Sequence, residues 1–469
     1  MTSRARVLNV SRVHPARATA AGDHELSSFD IAHITKIPIQ RLFFFDGPGL
    51  PPFPTVVGTL RSSLAETLAD FLPLAGEVAF RATSGAVVID CSLSAVSSGV
   101  RFVEAEYSGG ADDIRRLARE DEHDTEAFLQ LVPEIDVTQL PIPVLAVQVT
   151  RPATGHGAVA IGVTIVHAVA DGHAVWQFMR AWSRASREGL LTGGAAAPLE
   201  IVPPPTFDRA AVLHHPMAAE LSRMFLRILA PALPLLRSPS STPATLGDTV
   251  EQIRRTFVLT GDRIRYLKQQ CIPQGGTSGG QQGQQPTTST YVAVSSLVWA
   301  SLVRAKSLDH ADDAFFLVVA DCRRRLRPPP GEGYFGNCVR PCLARANAGE
   351  LCGEGGVAHA AAAIAERIRG FLDEKSDPLE GMERVLEVFG AIPKERLTSV
   401  GSSHRFMAYE TDFGWGAPSR VELVSMFRAE LVTLLGGRER GAVQVSAALS
   451  QPLMEAFAAN FLALAGSSD

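Results

Sequence analysis

Two neighbouring runs of apolar and β-branched residues constrain the fold of this chain most. They are VLAVQVT (144–150) and GAVAIGVTIVH (157–167), and the turn-forming sequence RPATGH separates them. Such runs, bounded by glycine and proline, predict a close pair of buried strands. The amphipathic pattern HAVWQFMRAWSRAS (173–186) follows and predicts a helix. The sequence therefore predicts a strand–turn–helix unit in the core of an α/β domain.

The chain has 469 residues, which is too long for one ordinary hydrophobic core. Strand and helix patterns occur in both halves, and prolines, glycines and serines concentrate between them. We predict an N-terminal domain over 1–200, a proline-rich crossover over 201–249 with a short helix at 218–229, and a C-terminal domain over 250–469. A glutamine- and glycine-rich stretch, 273–290, is predicted to form a surface loop.

Charge and composition argue against several classes of protein. The formal net charge of −5 disfavours nucleic acid or an anionic membrane as the main partner. No run of about 18 apolar residues predicts a membrane span, and the first residues lack the apolar core of a secretory signal. Six cysteines without a CxxC pair are typical of a reduced, cytoplasmic protein. We expect a monomer in the cytoplasm with no bound metal.

The turn HAVADG (167–172) holds the strongest candidates for chemistry, His167 and Asp171. Asp171 is suited to cap the following helix, in which case His167 is only a residue at the end of a strand. A metal site would lack a third strong ligand at a suitable spacing. A neutral imidazole, with an ordinary pKa of about 6.5, is suited to remove a proton from a hydroxyl or amine near pH 7. These residues alone leave the capping role and the general base open.

Several other segments fit one known family. Taken together, they resemble the plant BAHD acyl-CoA-dependent acyltransferases over nearly the full length of the chain. The matching segments are SSFDIAHITKIPIQRLFFF (27–45), FLPLAGEV (71–78), HAVADG (167–172), DFGWG (412–416) and GGRERGAVQVSAALSQPLMEAFAANF (436–461). The resemblance implies a two-domain fold like that of chloramphenicol acetyltransferase. In that fold each domain is a mixed β-sheet flanked by helices, and the active-site channel runs between the domains.

The resemblance also assigns roles to individual residues. His167 is implied to be the general base that takes the proton of the acceptor, with acyl-CoA as co-substrate and no permanently bound cofactor. Asp171 is implied to point away and hold the loop with Gly172, and Arg323, in the basic segment after a predicted strand, is our candidate for its ion-pair partner.

The DFGWG segment supplies two further candidates. Asp412 is grouped with His167 as a possible catalytic residue, although a structural role is favoured because a second carboxylate beside the base is not required. Trp415 is a candidate donor of its indole N–H to the developing oxyanion.

The segment YFGNC (334–338) narrows the substrate class. It resembles the clade that acylates anthocyanin, flavonoid and other phenolic glucosides, often from malonyl-CoA. Such a donor needs a cation for its free carboxylate, which the sequence does not identify among 44 lysines and arginines. The alternatives are a hydroxycinnamoyl-CoA-dependent O- or N-acyltransferase, a catalytically silent binding relative and a peptide-synthetase condensation domain. The condensation domain is disfavoured because its motif has two adjacent histidines. In this chain Val166 stands at the position of the first of them.

Overall fold

The computed structural model describes residues 4–17, 21–190, 203–236, 252–272, 288–372, 377–425 and 430–466. The strands are β1 (Ala5–Val13), β2 (His24–Glu25), β3 (Ile39–Asp46), β4 (Glu77–Arg81), β5 (Ala86–Asp90), β6 (Val100–Gly110), β7 (Ile142–Pro143), β8 (Leu145–Thr154), β9 (Ala158–Ile165), β10 (Gln252–Leu259), β11 (Asp313–Asp321), β12 (Val339–Asn347), β13 (Leu397–Ser403), β14 (Arg420–Glu422), β15 (Leu431–Gly436) and β16 (Val443–Ser450).

The helices lie between these strands. They are α1 (Ser28–Ile31), α2 (Phe53–Asp70), α3 (Leu93–Val96), α4 (Ala111–Arg119), α5 (Thr125–Gln130), α6 (Gly172–Leu190), α7 (Ala210–Leu213), α8 (Ala218–Leu229), α9 (Gly261–Gln270), α10 (Thr290–Lys306), α11 (Ala348–Cys352), α12 (Gly356–Leu372), α13 (Val385–Gly390) and α14 (Gln451–Leu464). Within the described ranges, none is long and apolar enough to cross a bilayer.

The chain divides into two compact units. The first comprises Met1–Thr245, Leu326–Cys338 and Ala408–Ser425, and the second comprises Leu246–Arg325, Val339–Met407 and Met426–Asp469. The first unit has a mixed six-stranded sheet in the order β1-β6-β8-β9-β3-β14 and a small sheet in the order β2-β5-β4-β7. The second unit has one mixed six-stranded sheet in the order β10-β16-β15-β13-β11-β12.

The two apolar runs of the sequence form the middle of the first sheet. They become β8 and β9, which pair antiparallel, and every residue of β9 is buried. Gly162 on β9 leaves room for a neighbouring segment, because a Cβ atom there would lie 2.3 Å from the carbonyl oxygen of Leu131. Helix α6 packs on α2, and the indole N–H of Trp182 is 3.1 Å from the hydroxyl of Ser63. The predicted strand–turn–helix unit is confirmed.

The second unit is built around a helix that is buried on all sides along most of its length. Residues 292–303 of α10 are buried in succession, and the helix packs on α12 and α14. A helix buried all round is expected where it forms the centre of a core rather than one face of it. The predicted strands that open and close this half correspond to β10, β15 and β16.

Two segments belong to a different unit from the one that the predicted domain boundaries assigned to them. We expected YFGNC and DFGWG in a C-terminal domain over 250–469, but both belong to the first unit. The reason is pairing: β14, just after DFGWG, adds to β3 with Val421 opposite Phe43, and Asn337 of YFGNC hydrogen-bonds Asp30. The predicted crossover helix is confirmed as α8, whereas most of the predicted loop 273–290 lies outside the described residues.

Asp30 is the centre of a fully buried polar network in the first unit. Its Oδ2 accepts hydrogen bonds from the Ser27 backbone N–H (3.0 Å) and hydroxyl (2.7 Å) and forms an ion pair with Arg209 Nε at 2.8 Å. Its Oδ1 accepts from the backbone N–H (2.8 Å) and the side-chain amide (3.0 Å) of Asn337. Three segments that are distant in sequence are thereby fixed to one carboxylate.

We predict that Asp30→Ala lowers the free energy of unfolding by about 3–5 kcal/mol, because it leaves the buried guanidinium of Arg209 without a counter-charge. The control is Glu120→Ala, which removes the exposed pair with Arg116 (2.9 Å) and should cost under about 1 kcal/mol. Urea unfolding followed by tryptophan emission measures both, since Trp176, Trp182 and Trp415 lie in the first unit. Equal effects of the two substitutions would contradict the prediction.

Candidate active site

His167 lies in the turn between β9 and α6, two residues beyond the end of the strand. The turn is held at both ends. The N–H of Val166 donates to the carbonyl of Val144 at 2.9 Å, and Asp171 Oδ1 accepts from the backbone N–H of Ala174 at 3.0 Å. Asp171 therefore caps α6, which begins at Gly172, as the sequence allowed.

The YFGNC segment fixes this turn from a distant part of the sequence. The side-chain amide of Asn337 donates to the carbonyl oxygen of His167 at 2.8 Å, and the N–H of Cys338 donates to Asp171 Oδ2 at 3.1 Å. The same amide group binds Asp30, so the polar network of the fold continues directly to the histidine. The backbone of His167 is thus held by a buried, hydrogen-bonded side chain rather than by a free loop.

The imidazole of His167 stacks on a second imidazole. The ring centroids of His33 and His167 are 4.2 Å apart, and the ring planes differ by 6°. Both side chains are half-buried, so the His167 ring is held by packing on one face yet retains contact with solvent. A ring held in this way can present one nitrogen to a substrate in a fixed orientation.

The surroundings of His167 favour its neutral form. Burial lowers the pKa of His167 to about 4, and the positive charges of Lys36 and Arg41 act in the same direction. A hydrogen bond to its own carbonyl oxygen and the charge of Asp171 oppose this shift without overcoming it. Burial, Lys36 and His167 also lower the pKa of His33 well below its ordinary value. At neutral pH the imidazole of His167 is therefore a free base.

The two nitrogens of the His167 ring have different surroundings. Nδ1 is buried and has no hydrogen-bond partner on another residue within the described structure. An interaction with the residue's own carbonyl oxygen raises the pKa of His167, although the geometry of this contact is not that of an ordinary hydrogen bond. With the proton on Nδ1, the lone pair of Nε2 is the one available to accept a proton from a ligand.

The DFGWG segment forms a tight turn against the opposite end of α6. Asp412 Oδ1 accepts from the N–H groups of Gly414 (2.7 Å) and Gly416 (2.9 Å). The carbonyl of Phe413 accepts from Ser186 at 2.6 Å, and the carbonyl of Asp412 accepts from Arg187. Gly414 has φ +107°, a backbone conformation that favours glycine because side chains with a Cβ atom rarely adopt it.

This turn lies away from His167. Arg187 is near the end of α6, about 24 Å along the helix axis from Asp171 at a rise of ~1.5 Å per residue. The ring of Trp415 is 6.1 Å from that of Phe45, which pairs with Val159 at the start of β9 rather than at its end. This placement favours the structural role of Asp412, and the catalytic role of Asp412 and the oxyanion role of Trp415 stay predictions.

Arg323 lies in the second unit, where its Nη1 is 3.4 Å from Asp321 Oδ1. Its predicted ion pair with Asp171, which belongs to the first unit, stays a prediction. Among the described residues, no three histidine, cysteine, aspartate or glutamate side chains are arranged to hold a metal ion. The six cysteines are free thiols.

Sequence analysis missed the residues that surround His167. His33 and Arg41 lie inside the matching segment 27–45 and Asn337 inside YFGNC, and the sequence assigned no individual role to any of them. The one signal for Asn337 was its polar side chain inside the otherwise aromatic and glycine-rich YFGNC segment. Nothing in the spacing pointed to the stack of His33 on His167, because the two residues approach only through the tertiary fold.

Comparison with known proteins shows the family of the chain. A model of the transferase family matches residues 6–464. The chain belongs to this family, the BAHD acyltransferases. It is 28% identical to malonyl-coenzyme A:anthocyanin 3-O-glucoside-6''-O-malonyltransferase of Dahlia pinnata, over 96% of this chain and 95% of that protein. It is 27% identical to phenolic glucoside malonyltransferase 1 of Arabidopsis thaliana, over 97% and 96%.

Solved structures confirm the predicted fold class of this acyl-CoA-dependent acyltransferase. Vinorine synthase matches with a TM-score of 0.72 and 19% identity over 98% of both chains. F. sporotrichioides TRI101, in complex with coenzyme A and T-2, matches with a TM-score of 0.62 and 18% identity, over 92% of this chain and 96% of that one. At 19% and 18% sequence identity, these two similarities show a shared fold and nothing about substrates or mechanism.

We predict that Asn337→Ala lowers kcat by about 10- to 100-fold with little change in KM, because the backbone of His167 loses its hydrogen bond while substrate contacts remain. The matched control is Asn460→Ala, which removes an amide bonded to the carbonyl of Ala456 (2.8 Å) on α14. Steady-state kinetics below the unfolding temperature of each variant measure the effect. A kcat equal to that of the control, or a change confined to KM, would contradict the positioning role.

Proposed function

We propose that this acyltransferase moves a malonyl group from malonyl-CoA to a hydroxyl group of a phenolic glucoside, an anthocyanin or flavonoid glucoside included. The observation that carries the chemistry is the half-buried, neutral imidazole of His167, fixed between Asn337 and the cap of α6. The names of the Dahlia and Arabidopsis relatives support the malonyl donor and the glucoside acceptor.

His167 acts as a general base and then as a general acid. Its Nε2 accepts the proton of the acceptor hydroxyl as the oxygen attacks the thioester carbonyl of the donor. The tetrahedral intermediate collapses, the carbon–sulfur bond breaks, and the imidazolium returns the proton to the departing thiolate. The low pKa of His167 keeps the ring unprotonated before each cycle, and the same environment makes the imidazolium a strong acid for the second step. No covalent acyl-enzyme is required.

Other residues of the site hold the base in place. Asp171 caps α6 and receives the N–H of Cys338, and we propose that it also pairs with Arg323 to secure the loop. Gly172 starts the helix directly after this cap. We propose a structural role for Asp412, whose carboxylate closes the DFGWG turn and whose carbonyl binds Arg187 of α6, and for Trp415, which packs on Phe413. We further propose that the protein is a monomer in the cytoplasm.

Two other functions remain distinguishable by assay. A hydroxycinnamoyl-CoA-dependent O- or N-acyltransferase would use the same base with a neutral aromatic donor. A catalytically silent binding relative would release no thiol from any acyl-CoA.

We predict that His167→Ala lowers kcat by about 10²- to 10⁴-fold, because the hydroxyl loses its proton acceptor. The matched control is His156→Ala, at an exposed position in the turn between β8 and β9, which should retain full activity. The assay measures thiol release from malonyl-, acetyl- and coumaroyl-CoA in the presence of a panel of phenolic glucosides. Undiminished turnover by His167→Ala, or no turnover by the unaltered enzyme with any donor, would overturn the proposed function.

A further inference from the structure

His33 lies in the turn that follows α1, and its backbone is held there by short-range hydrogen bonds. Its N–H donates to the carbonyl of Asp30 at 3.0 Å, and its carbonyl accepts from the N–H of Lys36 at 3.1 Å. Its side chain makes no such contribution to the turn, because Nδ1 is buried and has no hydrogen-bond partner among the described residues. The ring of His33 instead stacks on the ring of His167.

One polar network fixes the backbones of both histidines. The carbonyl of Asp30 accepts the N–H of His33, and the carboxylate of the same residue accepts from the side-chain amide of Asn337 at 3.0 Å. That amide also donates to the carbonyl of His167 at 2.8 Å. Asp30 and Asn337 therefore link the two backbones through buried hydrogen bonds and place the two rings face to face.

The stack restricts the orientation of the His167 ring. The Cβ–Cγ torsion of a histidine has broad preferences, so the ring needs a neighbour to fix its plane. A hydrogen bond from the second ring nitrogen to a carboxylate or carbonyl is the usual device, but Nδ1 of His167 has no partner on another described residue. With centroids 4.2 Å apart and planes only 6° from parallel, the ring of His33 supplies the restraint.

The charge state of His33 suits a neighbour of the base. Burial lowers the pKa of His33 well below its ordinary value, so its ring is uncharged at neutral pH. A second imidazolium so close would repel the positive charge that forms on His167 after proton transfer, whereas an uncharged aromatic face attracts a cation. The stack is therefore compatible with both protonation states of His167 in the reaction cycle.

We propose that His33 is a positioning residue, whose ring holds the imidazole of His167 in the plane in which Nε2 meets the acceptor hydroxyl. This inference rests on the proposed function, since it takes His167 as the general base. His33 itself exchanges no proton with either substrate. Another flat aromatic side chain at this position should serve the same purpose, whereas an aliphatic side chain should not.

The test compares kcat for three substitutions of His33 at about pH 8, where His167 is unprotonated. His33→Ala and His33→Leu remove the aromatic face and should lower kcat by about 10- to 100-fold with KM nearly unchanged, because the base loses its orientation. His33→Phe keeps a flat ring and should retain kcat within about threefold. The Leu and Phe variants form the decisive pair, because both fill the space that His33→Ala empties.

The pH dependence of kcat/KM separates positioning from a loss of folded enzyme. Removal of the ring in His33→Ala admits water to one face of His167, so the pKa of His167 should rise from about 4 toward its ordinary value of about 6.5. The base is active only when unprotonated, so this variant should lose activity below about pH 6.5 relative to His33→Phe. A substitution that only reduced the amount of folded enzyme would not move the midpoint of the profile.

The control is His24→Ala in the same unit, which removes a half-buried ring whose centroid lies 5.9 Å from that of Phe207 and should leave kcat unchanged. Equal kcat in the Leu and Phe variants, a loss confined to KM, or an equal loss in His24→Ala would overturn the inference. In each of these cases, turnover that is abolished by His167→Ala would leave the proposed function standing. Turnover that does not depend on His167 would instead overturn the proposed function.

Discussion

The buried carboxylate of Asp30 is the constraint on which the geometry of the candidate site depends. It carries a negative charge in the core. Arg209 balances that charge, and Ser27 and Asn337 donate hydrogen bonds to the same carboxylate. An unsatisfied group in such a network is costly, so the three segments that contribute partners have one favourable arrangement. Asn337 then transmits that arrangement to the carbonyl of His167 through the same amide group.

Helix α6 connects two motifs that have different physical roles. At its N-terminal end, Asp171 caps the helix and the histidine turn is fixed by YFGNC. At its C-terminal end, Ser186 and Arg187 bind the carbonyls of the DFGWG turn. The glycines of that turn allow the close approach to the helix. The candidate base therefore lies at the N-terminal end of α6. The C-terminal end of the same helix is held by the DFGWG turn, which comes from much later in the chain.

Elements with a clear local pattern could be predicted, and contacts between distant segments could not. The apolar runs identified β8 and β9, and the position of Asp171 before an amphipathic run identified a helix cap. Strand β3 was missed because Gln40 and Arg41 interrupt its apolar residues, although both are buried. The bond from Asn337 to His167 has no signal in spacing. The family resemblance made Asp412 a candidate beside the base, and a resemblance of motifs carries no information about the distance between them.

His167 is neutral at physiological pH because burial, together with the positive charges of Lys36 and Arg41, disfavours the imidazolium. Nuclear magnetic resonance of enzyme labelled with carbon-13 at histidine Cε1 tests this directly, and the resonance missing from His167→Ala assigns the signal among the 12 histidines. We expect the His167 signal to remain that of neutral imidazole as the pH falls through 6, with a midpoint at about 4. A midpoint at or above the ordinary value of about 6.5 would contradict the account.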